Sequence, residues 1–345
     1  MYLFCFGTRP EIIKQFPVMN ELKKRGLKFK TLFSGQHEDL IKDFIDLVGS
    51  PTYSITDVVE HGQTLNKLFS KILLKTSEIL KEDKSFKVIV QGDTSTAFAT
   101  SLASFHNQNK LIHIEAGLRT NNLHSPFPEE GNRTLISHLA DIHFCPTERS
   151  VENLKDEGLE KNVFLVGNTV VDSFDYISNN TIISKNIENL VSDNENYILC
   201  TLHRRENRKY INELWDELNI LSEKRKIIYV KHPSIEISNK NLSENISTID
   251  PVNYMDMVHL IKNSSGVISD SGGIQEEVIS ANKKILICRD TTERPETVET
   301  GYGKLVGRNI NNNINFLDMK NSNVKNPYGN NVSKKIVDTL EDLFI

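Results

Sequence analysis

The stretch YLFCFGTRPE, residues 2–11, joins an apolar run to the start of an amphipathic helix. Pro10 falls in the first helical turn, where its fixed φ angle is favourable, and Gly26 is placed to end the helix. Four apolar side chains recur at helical spacing: Ile12, Phe16, Met19 and Leu22. The stretch therefore predicts a buried strand, a glycine turn and a helix, which form the first part of a βαβ unit.

The same alternation of short apolar runs and amphipathic stretches continues along the chain. Runs buried on both faces and separated by helices are typical of parallel sheets. Ten runs are predicted to be strands: Tyr2–Phe6, Phe29–Phe33, Val88–Val90, Leu111–Ile114, Ile142–Cys145, Val163–Val166, Tyr197–Leu202, Lys226–Val230, Gly266–Ser269 and Ile285–Cys288. The pattern predicts an α/β protein.

With 345 residues the chain is long for a single core, so two domains are expected. Residues 178–196 turn polar and asparagine-rich near the midpoint, which indicates a domain boundary in this part of the chain. We take residues 1–170 as the first domain and residues 171–331 as the second. The expected architecture is two Rossmann-like domains facing across a cleft, with ligands at the carboxyl ends of the strands.

The composition excludes several classes of function. Hydrophobic residues make up 38% and charged residues 25%, and the net charge is -5 with both signs mixed along the chain. This distribution offers no basic surface for nucleic acid or a membrane, and no run is long enough to span a bilayer. The four cysteines are far apart and show no zinc spacing, so we expect free thiols, no metal and a cytoplasmic protein.

The glycine turn at residues 7–11 has the features of an anion site. Free N–H groups and the dipole of a helix N-terminus favour phosphate, and Arg9 with Lys14 one turn later adds positive charge. The turn lacks the GxGxxG pattern, which disfavours a dinucleotide. An ordinary tight turn with a solvated arginine is the alternative.

Three carboxylates follow predicted strands or a stiff loop in the first half. Asp93 comes after the third predicted strand, Glu115 ends the fourth, and Glu129 follows two prolines. A carboxylate at the end of an apolar strand needs a partner or a function. The alternatives are a helix N-cap at Asp93, an ion pair between Glu115 and Arg119, and a capping role for Glu129 or Glu130.

The second half contains two further polar segments after strands. His203 is followed by Arg204 and Arg205, and the residues 271–273, Ser-Gly-Gly, open a helix in which Glu277 lies one turn on. The Ser-Gly-Gly helix start predicts a second anion site, and Glu277 is placed to accept ribose hydroxyls. A buried structural histidine is the alternative for His203.

Taken together, these segments resemble the non-hydrolysing UDP-N-acetylglucosamine 2-epimerase family. The matching strings, in order, are FGTRPE, GQH, GDT, EAGLRT, PFPEEGNRTL, GNTV, HRREN, SDSGGIQEE, RDTTERPE and NPYG, and they extend from Phe6 to Gly329. The resemblance implies a glycosyltransferase-B-like fold, with the C-terminal helix 332–345 packing back on the first domain. It also implies a homodimer that converts UDP-N-acetylglucosamine to UDP-N-acetylmannosamine without a cofactor, for surface polysaccharide synthesis.

The resemblance also implies roles for individual residues. Asp93, Glu115 and Glu129 match the acid/base carboxylates, and His203 matches a residue beside the diphosphate that eases departure of UDP. Seven residues match nucleotide-binding positions: Arg9, Lys14, Ser271, Gly272, Gly273, Glu277 and Arg294.

Two segments depart from the family pattern. Val252 and Met257 stand where the family often offers glutamine and phenylalanine to the uracil. The family's Gln-His-Arg segment reads Gln-His-Glu-Asp at residues 36–39, with a negative charge where an arginine helps to bind a second, activating UDP-N-acetylglucosamine. We therefore do not expect that activation by analogy.

The chemistry of the sugar favours elimination. The hydrogen on C2 is not acidic, and no nicotinamide fingerprint is present, so we expect loss of UDP to give 2-acetamidoglucal, followed by re-addition. The alternatives are a hydrolysing epimerase that releases N-acetylmannosamine, an epimerase of a modified UDP-N-acetylglucosamine, a glycosyltransferase and a catalytically silent sensor.

Overall fold

The computed structural model of the chain describes residues 1–36, 45, 47–60, 62–232, 242–320 and 325–344, with only the backbone at Arg205. Within these ranges, no helix combines the length and the apolar character needed to cross a membrane.

The chain divides into two compact units. Unit 1 comprises residues 1–173 and 328–345, and unit 2 comprises residues 174–327. The described strands of each unit form one parallel β-sheet, as the alternation of apolar runs and helices predicts.

In unit 1 the described strands form a seven-stranded parallel sheet in the order β3-β2-β1-β4-β5-β6-β7. This order reverses direction between β1 and β4, which is the arrangement of a doubly wound sheet. The strands are β1 (Tyr2–Phe6), β2 (Phe29–Phe33), β3 (Tyr53–Ser54), β4 (Lys87–Gln91), β5 (Lys110–Ile114), β6 (Ile142–Cys145) and β7 (Val163–Leu165).

Helices connect these strands and follow the local signals in the sequence. In the first helix, proline occupies the first turn, Gly26 has a φ of 69° just past its end, and the four predicted apolar side chains are buried. The helices are α1 (Arg9–Lys24), α2 (Leu65–Glu82), α3 (Ser95–Asn107), α4 (Glu129–Leu139), α5 (Glu148–Asp156) and α6 (Val170–Asn180), which crosses into unit 2.

Unit 1 also includes the C-terminal helix, α12 (Val332–Phe344). Arg25, just after α1, forms ion pairs with Asp338 and Glu341 of this helix. Asp172 accepts hydrogen bonds from the backbone N–H groups of Val332 and Ser333. The last helix is therefore part of the first unit, although 154 residues of unit 2 intervene in the sequence.

In unit 2 the described strands form a six-stranded parallel sheet in the order β10-β9-β8-β11-β12-β13. The strands are β8 (Ile198–Thr201), β9 (Ile227–Val230), β10 (Ile246–Ile249), β11 (Gly266–Ser269), β12 (Ile285–Ile287) and β13 (Gly303–Leu305). The helices are α7 (Lys185–Asp193), α8 (Ile211–Ser222), α9 (Tyr254–Asn263), α10 (Gly272–Ser280) and α11 (Pro295–Glu299), with 3-10 helices at Arg205–Tyr210 and Asn311–Phe316.

All ten predicted strands are present, with ends that differ by at most one residue. The fold class of two parallel-sheet α/β domains is therefore confirmed. The prediction missed β3, β10 and β13, which are three of the four edge strands of the two described sheets. All four cysteines are buried and free.

Candidate functional site

Glu115 stands directly after β5 in a strained backbone conformation. Its φ is 64°, in the left-handed region that non-glycine residues seldom adopt, and only 8% of the residue is exposed. Such a conformation costs about 1–3 kcal/mol and persists where the surroundings over-determine it, often at functional sites. The strain therefore marks Glu115 as a residue whose carboxylate position matters.

Three side chains donate hydrogen bonds to the Glu115 carboxylate. Lys14 Nζ lies 2.5 Å from Oε1, Asn168 Nδ2 lies 3.2 Å from the same oxygen, and Gln91 donates to Oε2. These donors come from α1, the loop after β7 and the end of β4, so three separate segments fix one carboxylate. Lys14, assigned to the nucleotide by family resemblance, is 7% exposed and its ammonium lies against Glu115 in unit 1.

Asp93 lies in the loop between β4 and α3. Its carboxylate accepts a hydrogen bond from the buried guanidinium of Arg133, and its carbonyl oxygen accepts one from Asn132 at 2.8 Å. The cap of α3 is Thr94, whose hydroxyl accepts from the N–H of Ala97. The N-cap alternative for Asp93 is therefore wrong, since helix capping falls to its neighbour.

Glu129 is the first residue of α4, one turn before the arginine that binds Asp93. Its Oε2 atom is buried and has no hydrogen-bond partner among the described residues. A buried carboxyl oxygen without a partner is unusual and needs an explanation. The adjacent Glu130 instead accepts from the backbone N–H groups of Thr120 and Asn121, so the structural role belongs to Glu130.

The proposed ion pair between Glu115 and Arg119 is not formed. The Arg119 guanidinium donates two hydrogen bonds to Glu157, at 2.6 and 2.8 Å, and one to Ser137 at 3.0 Å. This forked pair fits the planar guanidinium geometry. Arg119 thus ties the loop after β5 to α5 and leaves Glu115 to its other donors.

The glycine turn before α1 is tightly packed. A Cβ atom at Gly7 would lie 2.1 Å from Ser34 Oγ and 2.3 Å from Thr96 Oγ1, so only glycine fits. Arg9, the first residue of α1, is half-buried. Glu11 is fully buried and accepts hydrogen bonds from the N–H groups of Gly7 and Thr8 and from two threonine hydroxyls. Burial raises the pKa of Glu11 to about 7, although these donors oppose the rise.

In unit 2, α10 begins at Gly272, directly after Ser271, as the sequence predicts. A Cβ atom at Gly272 would lie 3.0 Å from Glu293 Oε1 and 3.3 Å from a guanidinium nitrogen of Arg204. At Gly273 it would meet nothing closer than Ser271 Oγ at 4.0 Å. Charged side chains thus converge on the first residue of this helix, whose free N–H groups favour an anion.

Glu293 connects the arginines of this region. Arg204 donates to its Oε1 at 2.9 Å, and Arg289 donates to its Oε2 at 2.6 Å. Burial opposes ionisation of Glu293, but the charges of Arg289, Arg294 and Arg204 outweigh it and lower its pKa to about 2. Arg294 itself donates to Glu276 of α10. Two residues that were expected to bind nucleotide are therefore associated with α10. The buried Glu277 belongs to this helix, and Arg294 contacts it from outside.

His203 lies after β8, with 28% of its side chain exposed. Its ring stacks on His232 with the ring centroids 5.0 Å apart. Burial lowers the pKa of His203, and the nearby carboxylate of Asp270 opposes that shift. The ring is therefore neither a fully buried structural group nor a solvated one.

The sequence prediction missed the side chains that hold the candidate catalytic groups. Asn168 and Arg133 lie within motif strings and Gln91 directly precedes one, but the three were given no role, and Asp270 was passed over. Asp270 ends an apolar strand, the same signal that singled out Glu115. The contacts of the other three become visible only in the fold, since their partners are 24 to 53 residues away in the sequence.

Some expectations fall outside what the structure describes. His37, Glu38 and Asp39 lie outside the described residues, as does the side chain of Arg205. Val252 and Met257, expected near the uracil, are half-buried before and within α9. In the described part of the chain, no group of three or more His, Cys, Asp or Glu residues is arranged to hold a metal ion.

Comparison with known proteins gives full-length matches. A family model described as UDP-N-acetylglucosamine 2-epimerase matches residues 20–341. A UDP-N-acetylglucosamine 2-epimerase from Salmonella borreze is 39% identical, and the match covers 99% of each chain. The crystal structure of UDP-GlcNAc 2-epimerase from Neisseria meningitidis bound to UDP-GlcNAc has 36% identity and a TM-score of 0.88, over 99% of each chain.

A second solved structure gives the same result. The Methanocaldococcus jannaschii UDP-GlcNAc 2-epimerase in complex with UDP-GlcNAc and UDP is 32% identical, with a TM-score of 0.82. The match covers 99% of this chain and 100% of that chain. The similarity therefore includes both units.

Proposed function

This chain belongs to the UDP-N-acetylglucosamine 2-epimerase family, and we propose that it catalyses the reversible, non-hydrolysing conversion of UDP-N-acetylglucosamine to UDP-N-acetylmannosamine. The observation that carries the proposal is the Glu115 carboxylate. It is held in a strained conformation by donors from three segments, in the same unit as Asp93 and Glu129. A binding protein for a sugar nucleotide has no evident need for strain at a carboxylate.

We divide the reaction between the two units. The helix start at Ser271, Gly272 and Gly273, with Arg204 nearby, binds the anionic diphosphate through N–H groups and positive charge. Glu277 accepts ribose hydroxyls, and Arg294 and Arg9 complete the nucleotide contacts. The carboxylates of unit 1 act on the sugar, with Lys14 beside Glu115.

The reaction that fits these groups is elimination followed by re-addition. One carboxylate removes the proton from C2 while the C1–O bond breaks, and the bonding electrons leave with UDP. A C1=C2 double bond remains, in bound 2-acetamidoglucal. The diphosphate oxygen then adds back to C1 as a second group delivers a proton to the opposite face of C2.

Two proton-handling groups are needed because the proton leaves one face and arrives at the other. Three carboxylates in one unit supply them, in different surroundings. Asp93 is paired with an arginine and Glu115 with a lysine and two amides, while Glu129 has a buried oxygen that no described residue hydrogen-bonds. His203 faces the departing diphosphate and stabilises its charge. No redox cofactor takes part in this sequence of steps.

The product keeps its diphosphate link, so it remains activated for glycosyl transfer. We therefore propose that it supplies the synthesis of a surface polysaccharide.

We also propose that the enzyme is a homodimer, because Leu74, Phe105 and Leu135 leave exposed apolar surface on the neighbouring helices α2, α3 and α4. Light scattering that gives only the 39.3 kDa monomer would contradict the dimer.

Phosphorus NMR of the reaction mixture tests the proposed activity. Purified protein with UDP-N-acetylglucosamine is expected to give a second intact UDP-sugar and no accumulation of UDP. Free UDP with N-acetylmannosamine would establish the hydrolysing alternative. Binding by calorimetry without turnover would indicate a sensor, and turnover only of 3-acetamido or 6-carboxylate derivatives would indicate a modified substrate.

A further inference from the structure

Asp270 is a fully buried carboxylate in unit 2, at 0% exposure, between the end of β11 and the start of α10. A buried charge is costly unless several donors satisfy it. The position is also the junction between the strand and the helix start that we assign to the diphosphate. What holds this carboxylate is therefore informative about the site.

The carboxylate of Asp270 accepts hydrogen bonds from several residues of the segment that follows β8. It accepts from the N–H of His203 at 3.0 and 3.1 Å and from the N–H of Arg204 at 3.0 Å. It also accepts from Asn207 Nδ2 at 2.8 Å, and Asn207 donates in turn to the carbonyl of Cys288 at 2.9 Å. Asp270 thereby joins the ends of β8, β11 and β12.

The same carboxylate also faces the imidazole ring of His203. Nδ1 of His203 lies 3.3 Å from Asp270 Oδ1. A carboxylate oxygen can only accept from a ring N–H, so its closeness favours the tautomer that carries the proton on Nδ1. The other ring nitrogen, Nε2, is then the one that gains or loses a proton.

Among the described residues, three further charged or titratable groups lie around the ring. His232 stacks on it from the end of β9, Arg204 adjoins it in sequence, and Arg289 follows β12. Burial lowers the pKa of His203, the negative charge of Asp270 raises it, and these three groups lower it further. Asp270 is thus the group among them that favours the imidazolium form.

We propose that Asp270 is a positioning residue for His203, which keeps Nδ1 protonated and presents Nε2 as the atom that interacts with the departing diphosphate. The proposal rests on the proposed function of His203 in the departure of UDP. It adds a carboxylate in unit 2 whose role is distinct from those of Asp93, Glu115 and Glu129, because Asp270 acts through another side chain.

The wild-type protein gives a direct test that does not depend on activity. In long-range ¹H–¹⁵N NMR spectra of histidine-labelled protein, the His203 signals are assigned by their absence in His203→Asn. Above its pKa, His203 is expected to show a protonated Nδ1 and an unprotonated Nε2. The opposite tautomer would overturn the proposal, whatever the variants do.

The variant Asp270→Asn removes the charge and keeps the size of the side chain. We expect the pKa of His203 to fall, the ring to become a mixture of tautomers, and kcat to fall roughly 100-fold, as for loss of a proton-handling group. KM is expected to change less than threefold, and the basic-side inflection of the kcat profile is expected to move with the pKa of His203, because the protonated ring is the form that stabilises the departing diphosphate. Unchanged His203 signals in this variant would show a purely structural role and contradict the proposal.

Asp256 provides a matched control in the same unit. It is 5% exposed and accepts hydrogen bonds from the N–H of Ser184 and from Asn253 Nδ2. Asp256→Asn is expected to lower stability while leaving kcat and the His203 signals at wild-type values. An equal loss of kcat in both variants would attribute the effect to the fold of unit 2 and overturn the assignment.

His203→Asn separates failure of this inference from failure of the proposed function. Full turnover in His203→Asn would remove the role of His203 in the reaction, whereas the tautomer and pKa measurements would still decide whether Asp270 positions the ring.

Discussion

Unit 1 and unit 2 each place a largely buried carboxylate beside a candidate anion site, and the two groups have opposite titration behaviour. Glu11 in unit 1 is surrounded by neutral donors, and burial raises its pKa to about 7. Glu293 in unit 2 is also desolvated, but three arginines lower its pKa to about 2. At Glu11 the neutral donors do not offset the cost of burial, whereas at Glu293 the nearby cations do.

The two units also differ in how they hold the charged groups that we assign to the substrate. Unit 1 gives two of the candidate acid/base carboxylates separate donors, with Lys14 on Glu115 and Arg133 on Asp93. Unit 2 joins its charged residues in one network around the N-terminus of α10. Separately held carboxylates suit proton transfer at the two faces of the sugar, and a shared positive network suits binding of a diphosphate.

The largest effect is expected from Glu115→Gln in unit 1. The amide keeps the shape and still accepts from Lys14, but it cannot take a proton from C2. We expect kcat to fall at least roughly 1,000-fold while the dissociation constant for UDP-N-acetylglucosamine stays within a few-fold. Asp93→Asn is expected to behave in the same way. Steady-state kinetics and calorimetry measure the two quantities.

Glu157→Gln is the control for loss of a charged pair in unit 1. Its forked contact with Arg119 resembles the other carboxylate contacts, yet we assign it no part in the reaction. Stability is expected to fall and kcat to stay at the wild-type value. If Glu115→Gln also kept wild-type turnover, the division of roles between the units would be wrong.

A smaller effect, on binding, is expected from Gly272→Ala in unit 2. The added Cβ would crowd Glu293 Oε1 at 3.0 Å and Arg204 at 3.3 Å, and so disturb the network at the helix start. We expect UDP to bind about tenfold more weakly, or ~1.4 kcal/mol, with kcat little changed at saturation. Calorimetric titration with UDP measures the change.

Gly273→Ala places the same methyl group one residue later on the same helix, with the nearest atom 4.0 Å away. Its effect on UDP binding is expected to be clearly smaller than that of Gly272→Ala. Equal effects would mean that helix backbone changes, rather than the Glu293 network, determine the affinity.

Much of the fold was predictable because its central strands are apolar and buried. Tyr2–Phe6 and Gly266–Ser269 were predicted with the observed ends, since all their residues are buried. The missed strands have weaker signals: Tyr53–Ser54 has two residues, and Ile246–Ile249 has one buried residue of four. An edge strand pairs on one side only, so its burial and its sequence pattern are less distinct.

The positions of the candidate residues after strands were predictable from the sequence, but their contacts were not. Strand ends identified Asp93, Glu115 and His203, because the carboxyl ends of parallel strands meet at one edge of a sheet. Lys14 was assigned to the nucleotide, but its contact with Glu115 joins residues 101 positions apart. The left-handed backbone of Glu115 also has no sequence signal, since it follows from the surrounding fold.

Two further effects are expected in the pH dependence of stability. For Glu11, the folded-state pKa of about 7 exceeds the ordinary value of 4.5, so the folded state holds a proton that the unfolded state releases. The stability of the wild type relative to Glu11→Gln should therefore fall as pH rises from about 4.5 to 7, by at most roughly 1.4 kcal/mol per pH unit. Urea unfolding followed by circular dichroism measures it.

For Glu293 the sign is reversed. Its folded-state pKa of about 2 is below the ordinary value, so its contribution is present above about pH 4.5 and is lost as pH falls toward 2. The stability of the wild type relative to Glu293→Gln should fall on acidification. Trp215, the single tryptophan, is buried in unit 2 and reports this transition by fluorescence. The same sign for both variants would contradict the contrast between the units.

Proton NMR of the reaction in deuterated water tests the central claim most directly. Elimination and re-addition require that the proton on C2 be lost and replaced, so UDP-N-acetylmannosamine is expected to carry deuterium at C2, and the recovered UDP-N-acetylglucosamine should gain it as the reaction approaches equilibrium. UDP-N-acetylmannosamine that retains its original C2 hydrogen would contradict the account, because inversion would then proceed without proton exchange at the unit 1 carboxylates.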